Sequence, residues 1–308
     1  MSRTPVVEWR RVAAFLLVAF GVSWATAAVI FVTGGLRASP QIAGPLTLAA
    51  VLLPTAYMFG PAIGNVAARL ATGEGRADLW LSLDVRPAWR TYALAWLAPA
   101  TLTVLGVALY YLLFPGAFDP TLAALGAALA GTGSTLAAWQ VLLIQLVAAV
   151  TVAPLLNAVV AFGEEFGWRA YLLPKLLGLG RRRAVLLVGV VWGIWHWPIV
   201  AMGYNYGFSY PGAPWSGLLA MTWFTVLVGT FLGWLALRTR SVWPAALGHG
   251  AVNAIAGIGT AFLRGRPTPL LGPSGVGVVV AVPWLVVAAW LLWRDSFAPL
   301  RGAKDGVN

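Results

Sequence analysis

The sequence predicts an all-α, polytopic membrane helix bundle with about eight transmembrane helices. Three observations carry this. Of 308 residues, 60% are hydrophobic and 9% charged, with a mean hydropathy of +0.83, where soluble domains carry roughly 25% charged residues. Apolar runs of about 20 residues, the length that crosses a bilayer, recur along the whole chain. The basic residues behind the net charge of +11 fall in short clusters between those runs, as loop charges do. No stripe of basic and aromatic residues lies outside the runs, so the lipid bilayer is the expected partner and nucleic acid is not. Cysteine is absent, which removes disulfides, thiol nucleophiles and Cys-based metal sites.

Eight spans are read in order. The first, 12–33, follows basic residues, and Ala25-Thr26-Ala27 resembles a signal-peptide cleavage site. The apolar run continues to Val32, so an uncleaved helix is expected. Spans 46–70 and 91–114 follow. Segment 119–135 is too short and too rich in glycine to cross, and reads as a loop or a surface amphipathic helix. The fourth span, 137–162, is expected to continue through Glu164 and Glu165 towards Leu173, where Pro174 would interrupt it. The remaining spans are 184–203, 216–237, 242–262 and 275–293.

Loop charges test this order. With the N-terminus inside, the inner segments hold Arg3, Arg10 and Arg11; Arg69, Arg76, Arg86 and Arg90; Arg169, Lys175 and Arg181 to Arg183; Arg238 and Arg240; and Arg294, Arg301 and Lys304. These are 17 of the 20 basic residues, and only Arg37, Arg264 and Arg266 fall outside. The positive-inside rule then gives a multi-pass protein of the cell inner (plasma) membrane with both termini cytoplasmic. The triple Arg181–Arg183 reads as a topology anchor. Gly60 with Gly64, Gly189 with Gly193, and Gly229 with Gly233 make small-xxx-small pairs that let helix backbones approach in lipid. No internal repeat or second domain is visible, so residues 1–308 read as a single membrane domain.

Few ionisable or strongly polar groups fall at membrane depth in the second half of the chain. They are Glu164, Glu165 and Arg169 at the end of helix four, His196 in helix five, and His249 and Asn253 in helix seven. His196 and His249 are the protein's two histidines. A charge at a helix centre costs about 2.5–3.5 kcal/mol on insertion scales and marks a functional site by default. Glu165 and Arg169, at i and i+4, share a helix face and can pair. Glu164 points about 100° away and is left without that arginine. His249 and Asn253 are also i, i+4 and can enter one cavity. Taken singly, the ion pair and Asn253 read as structural glue and either histidine equally as glue or as function; their co-occurrence on three helices points to chemistry. Glu164 can act as general base on a water held by His196, while His249 and Asn253 can donate hydrogen bonds to an oxyanion. That set hydrolyses an acyl bond without a Ser or Cys nucleophile. Glu164, His196 and His249 could alternatively ligate a metal with an open position for water. The H-E-x-x-H motif is absent, but a site assembled from separate helices is compatible with the sequence. A proton relay would use the same Glu and His, but the first three helices offer almost no titratable groups to extend it.

The motifs, in order, are Glu-Glu-x-x-x-Arg at Glu164, Glu165 and Arg169, aromatic-x-x-x-His at Trp192 and His196, and His-x-x-x-Asn at His249 and Asn253. Their order and spacing resemble the CPBP family of intramembrane proteases, which includes the Ras-converting CAAX prenyl endopeptidase and bacterial Abi-type proteins. The resemblance covers a core region of about 135–262. Trp192 stands where the family more often has Phe. The resemblance implies a glutamate-dependent intramembrane endopeptidase, with Glu164 and His196 activating water and His249 and Asn253 forming the oxyanion site. Glu165 and Arg169 would be a structural or orienting pair, no cofactor would be needed, and a divalent metal is not favoured. It implies a peptide or membrane-protein substrate. Because the motif helix ends among inner basic residues, the site is expected near the cytoplasmic leaflet. Composition rich in Ala, Gly, Arg and Trp suggests a bacterial source. Some family members are instead linked to bacteriocin immunity or membrane-protein scaffolding, which is the alternative reading.

Overall fold

The computed structural model describes residues 6–76, 78–295 and 297–300. Arg3, Arg301 and Lys304, counted among the inner charges, lie outside the described residues. Helix α1, Trp9–Val32, leads to a short antiparallel pair, β1 Gln41–Ala43 and β2 Leu46–Thr47. Helix α2, Leu48–Leu52, begins with the Thr47 hydroxyl accepting the Ala50 N–H. It passes through a π turn, Leu53–Tyr57, into α3, Met58–Thr72. Helix α4 is Val85–Leu113, and the short α5, Ala123–Ala130, occupies the segment read as a surface loop or helix.

Helix α6, Ala138–Val150, and α7, Ala153–Gly167, replace the single fourth span. They are bent by 55° at Thr151–Val152. Beyond α7 the chain does not stop at Pro174. A π turn, Trp168–Leu172, switches the Leu173 N–H to the Trp168 carbonyl, and Pro174 enters in the first turn of α8, Leu173–Leu176. There its missing N–H costs no hydrogen bond. Helix α9, Arg181–Trp195, and the short α10, Trp197–Ala201, meet at His196. The last elements are α11 Trp215–Thr239, α12 Trp243–Ile255 and α13 Val282–Arg294.

The architecture is a polytopic helix bundle. Among the described residues, five helices are long and apolar enough to cross a membrane, or six if the bent α6–α7 pair counts as one span. The other two predicted spans are shorter: α9 has 15 residues and α13 has 13. Helix α11 is apolar all round and sits at the centre of the bundle, with Val228, Leu232, Leu235 and Ala236 fully buried. This is the pattern of a helix enclosed by others. Helices α1, α4 and α6 instead carry exposed Leu17, Phe31, Leu97, Leu105, Leu143 and Ile144 on one side.

Close packing depends on the small residues. A Cβ on Gly193 of α9 would lie 2.6 Å from the Thr222 Cα of α11. One on Gly250 of α12 would lie 2.4 Å from the Pro154 oxygen and 2.6 Å from the Ala158 nitrogen of α7. No side chain fits at either contact.

Hydrogen bonds tie the loops into two opposite faces. On the basic face, Glu74 pairs with Lys175 and accepts from the Tyr171 hydroxyl at 3.1 Å, with Arg11 at 3.7 Å and Arg69 at 3.8 Å. The Ser241 hydroxyl donates to the Ser82 carbonyl, and Arg182 reaches Asp295 and the Trp293 carbonyl. On the other face, the Asp119 N–H donates to the Phe262 carbonyl, Arg264 lies 3.7 Å from Asp119, and the Tyr206 hydroxyl donates to the Val276 carbonyl. Arg37 stacks over Phe208 there. Arg169, counted above as a loop charge, belongs to neither face: it is fully buried in the core.

Candidate active site

Trp192 organises the polar cluster. It lies on α9, one turn before His196 at that helix's C-terminal end. Its indole N–H donates to Glu164 Oε2 at 2.6 Å, and its carbonyl lies 2.8 Å from His196 Nδ1. A carbonyl only accepts, so Nδ1 carries the proton, and in the neutral ring Nε2 is the acceptor. The Trp192 ring also lies under the Arg169 guanidinium, 4.3 Å away, and edge-on to His249 at 5.2 Å.

Glu165 stands behind this layer with no exposed surface. Its Oε1 takes Arg169 Nη1 at 2.9 Å and His249 Nδ1 at 2.8 Å. The two glutamates, adjacent in sequence, therefore serve different partners: Glu165 joins α7, the π turn and α12, while Glu164 faces α9. Glu165 Oε2 and Arg169 Nε and Nη2 find no hydrogen-bond partner among the described residues, so the buried pair is held by one direct contact, His249 and the Trp192 face.

Glu164, Trp192, His196, His249 and Asn253 all line one cavity of about 300 Å³. Glu164, His196 and His249 are 2%, 7% and 5% exposed, whereas Asn253 is exposed. Glu165 and Arg169 do not reach the cavity.

Several lining residues were not among the candidates the sequence offered. Tyr57, placed by the π turn after α2, donates from its hydroxyl to the Trp195 carbonyl at 2.5 Å, and the Trp24 indole N–H donates to the same oxygen at 3.1 Å. The first helices thus hold the carbonyl just before His196. Asn157 sits two turns before Glu164 on α7, which its spacing could have flagged, and donates weakly to the Gly250 carbonyl at 3.4 Å. Tyr204 and Asn205 come from the loop after α10, a tertiary contact with no local pattern. Among the described residues, no three or more His, Cys, Asp or Glu side chains converge to hold a metal ion. Both histidine Nδ1 atoms are committed to protein partners.

Residues 139–255 match the family model described as "Type II CAAX prenyl endopeptidase Rce1-like". The matched segment contains all three motifs. By this match the core is similar to the CAAX endopeptidases of the CPBP family. The chain is also similar to the CAAX prenyl protease 2 of Methanococcus maripaludis, at 29% identity over 94 residues, covering 29% of this chain and 34% of that protein. The chain thus spans about a third of the length of the curated relative it matches. Helices α1 to α5 lie outside the matched segment.

Proposed function

We propose that the chain is an intramembrane endopeptidase that hydrolyses a peptide bond with a water activated by Glu164. The convergence of Glu164, His196, His249 and Asn253 on one cavity supports this reading, as does the similarity of the core to CAAX proteases. Glu164 takes a proton from a water whose other hydrogen bonds to His196 Nε2. The water oxygen attacks the scissile carbonyl carbon, and the carbonyl oxygen becomes an oxyanion. Asn253 Nδ2 and His249 Nε2 donate to that oxygen. The Nδ1 of His249 already faces Glu165, so donation from Nε2 as well requires a hydrogen on both ring nitrogens. The tetrahedral centre then collapses. The C–N bond breaks, and the proton held by Glu164 passes to the departing amine. Glu165, Arg169 and Trp192 are positioning residues.

Cleavage of an internally quenched membrane-peptide library by purified protein tests the proposal. Wild type is expected to cleave with or without a strong chelator, and Glu164→Gln to lose cleavage while keeping its thermal midpoint. Cleavage lost on chelation would replace the water–glutamate step with metal chemistry. A folded wild type with no cleavage across the library would favour a non-catalytic scaffold or immunity role.

A further inference from the structure

The motif helix ends among basic residues, which suggested a site near the cytoplasmic leaflet. The walls of the cavity point the other way. About 27 Å of helix separates Asn157 from Lys175 on the basic face, at about 1.5 Å per residue, and about 21 Å separates His196 from Arg182. Both distances are large fractions of a hydrocarbon core about 30 Å thick. Tyr204, Asn205 and Val276, from loops of the face opposite the basic one, complete the lining. Among the described residues, none of the basic-face loops 73–84, 175–183 or 238–242 contributes to the lining. On that side lie Glu165, Arg169, Trp168 and Leu172, which are outside the lining and have no exposed surface. The exposed groups, Asn253, Tyr204 and Asn205, lie towards the other side.

Combining this with the positive-inside rule, we propose that the cavity opens to the extracytoplasmic side and takes a peptide segment presented there, an exported chain or an outer juxtamembrane segment. The choice of a peptide rests on the protease reading; the direction of opening does not. The lining chemistry suits an extended backbone. Asn157, Asn205 and Asn253 each offer an amide that donates to a carbonyl and accepts from an N–H. Among the described residues, no Lys or Arg lines the cavity to neutralise a phosphate or a carboxylate.

The chain has no cysteine, so single-cysteine labelling needs no prior substitution. Tyr204→Cys and Asn253→Cys report the mouth and the interior, and Ser82→Cys reports the basic face. Each full-length variant is treated with a membrane-impermeant maleimide in sealed spheroplasts and in inside-out vesicles. Tyr204→Cys and Asn253→Cys are expected to label in spheroplasts only, and Ser82→Cys in inside-out vesicles only. Labelling of both cavity cysteines from the vesicle side, or of neither from the spheroplast side, would overturn the proposal. If one cavity variant fails to fold, the other carries the result. Labelling does not require catalysis, so loss of the protease reading would leave this outcome readable. Outward labelling in a protein that cleaves nothing would retain the cavity's direction and reject only the peptide as substrate.

Discussion

Trp192 joins the two halves of the site, because one residue supplies the donor to Glu164, the acceptor for His196 and the aromatic face under Arg169. A phenylalanine at this position keeps the carbonyl and the face but has no N–H. Hydrogen bonds to charged groups contribute about 1.5–3 kcal/mol, and about 1.4 kcal/mol is tenfold in rate. Trp192→Phe is therefore expected to lower kcat by roughly 10- to 100-fold with the fold intact, measured on any peptide the wild type cleaves. An unchanged kcat would mean that Glu164 is oriented by something else. The spacing of Glu164, Glu165 and Arg169 made the division between the two glutamates legible in advance, because i, i+4 geometry is local. The indole donor was not legible, since it spans from α9 to α7 and depends on how those helices pack.

At the scale of elements, the site is set by how α7 and α12 meet. Gly250 lies one residue after His249, and its missing side chain lets α12 sit against the α7 backbone. A valine there would overlap the Pro154 oxygen and the Ala158 nitrogen. Overpacking typically costs 1–3 kcal/mol, and backbone atoms cannot rotate aside. Gly250→Val is expected to cost about 3 kcal/mol or more, read as a lower thermal midpoint, and to abolish cleavage by moving His249 away from Glu165. A midpoint like the wild type's would show that the two helices can separate. Apolar runs announced the helices because burial in lipid or in the bundle demands them. The bend between α6 and α7 had no such signal: Thr151 and Val152 read as ordinary members of an apolar run, and Pro154 fits the first turn of a new helix. Continuation past Pro174 was hidden for a related reason, since the π turn that accommodates it is a three-dimensional adjustment.

Across the whole molecule, charge gathers in a buried cluster in the core and in a second cluster on the basic face. Glu74 anchors the second. Burial alone would raise its carboxyl pKa, but the Lys175 ammonium, Arg69 and the Tyr171 hydroxyl outweigh this and hold it below the ordinary carboxylate value. Its stabilisation is therefore complete above that ordinary value and is lost as pH falls through the lowered folded value. Thermal unfolding in detergent should show a loss of stability over this acid range that is smaller in Glu74→Gln; identical acid curves would contradict it. The separation of roles between the two core glutamates is the account's central claim. It is tested most directly by measuring thermal midpoint and peptide cleavage together for Glu164→Gln and Glu165→Gln. Breaking a buried ion pair costs about 3–5 kcal/mol, so Glu165→Gln should lose both stability and cleavage, while Glu164→Gln should lose cleavage alone. Wild-type cleavage by Glu164→Gln would contradict the account.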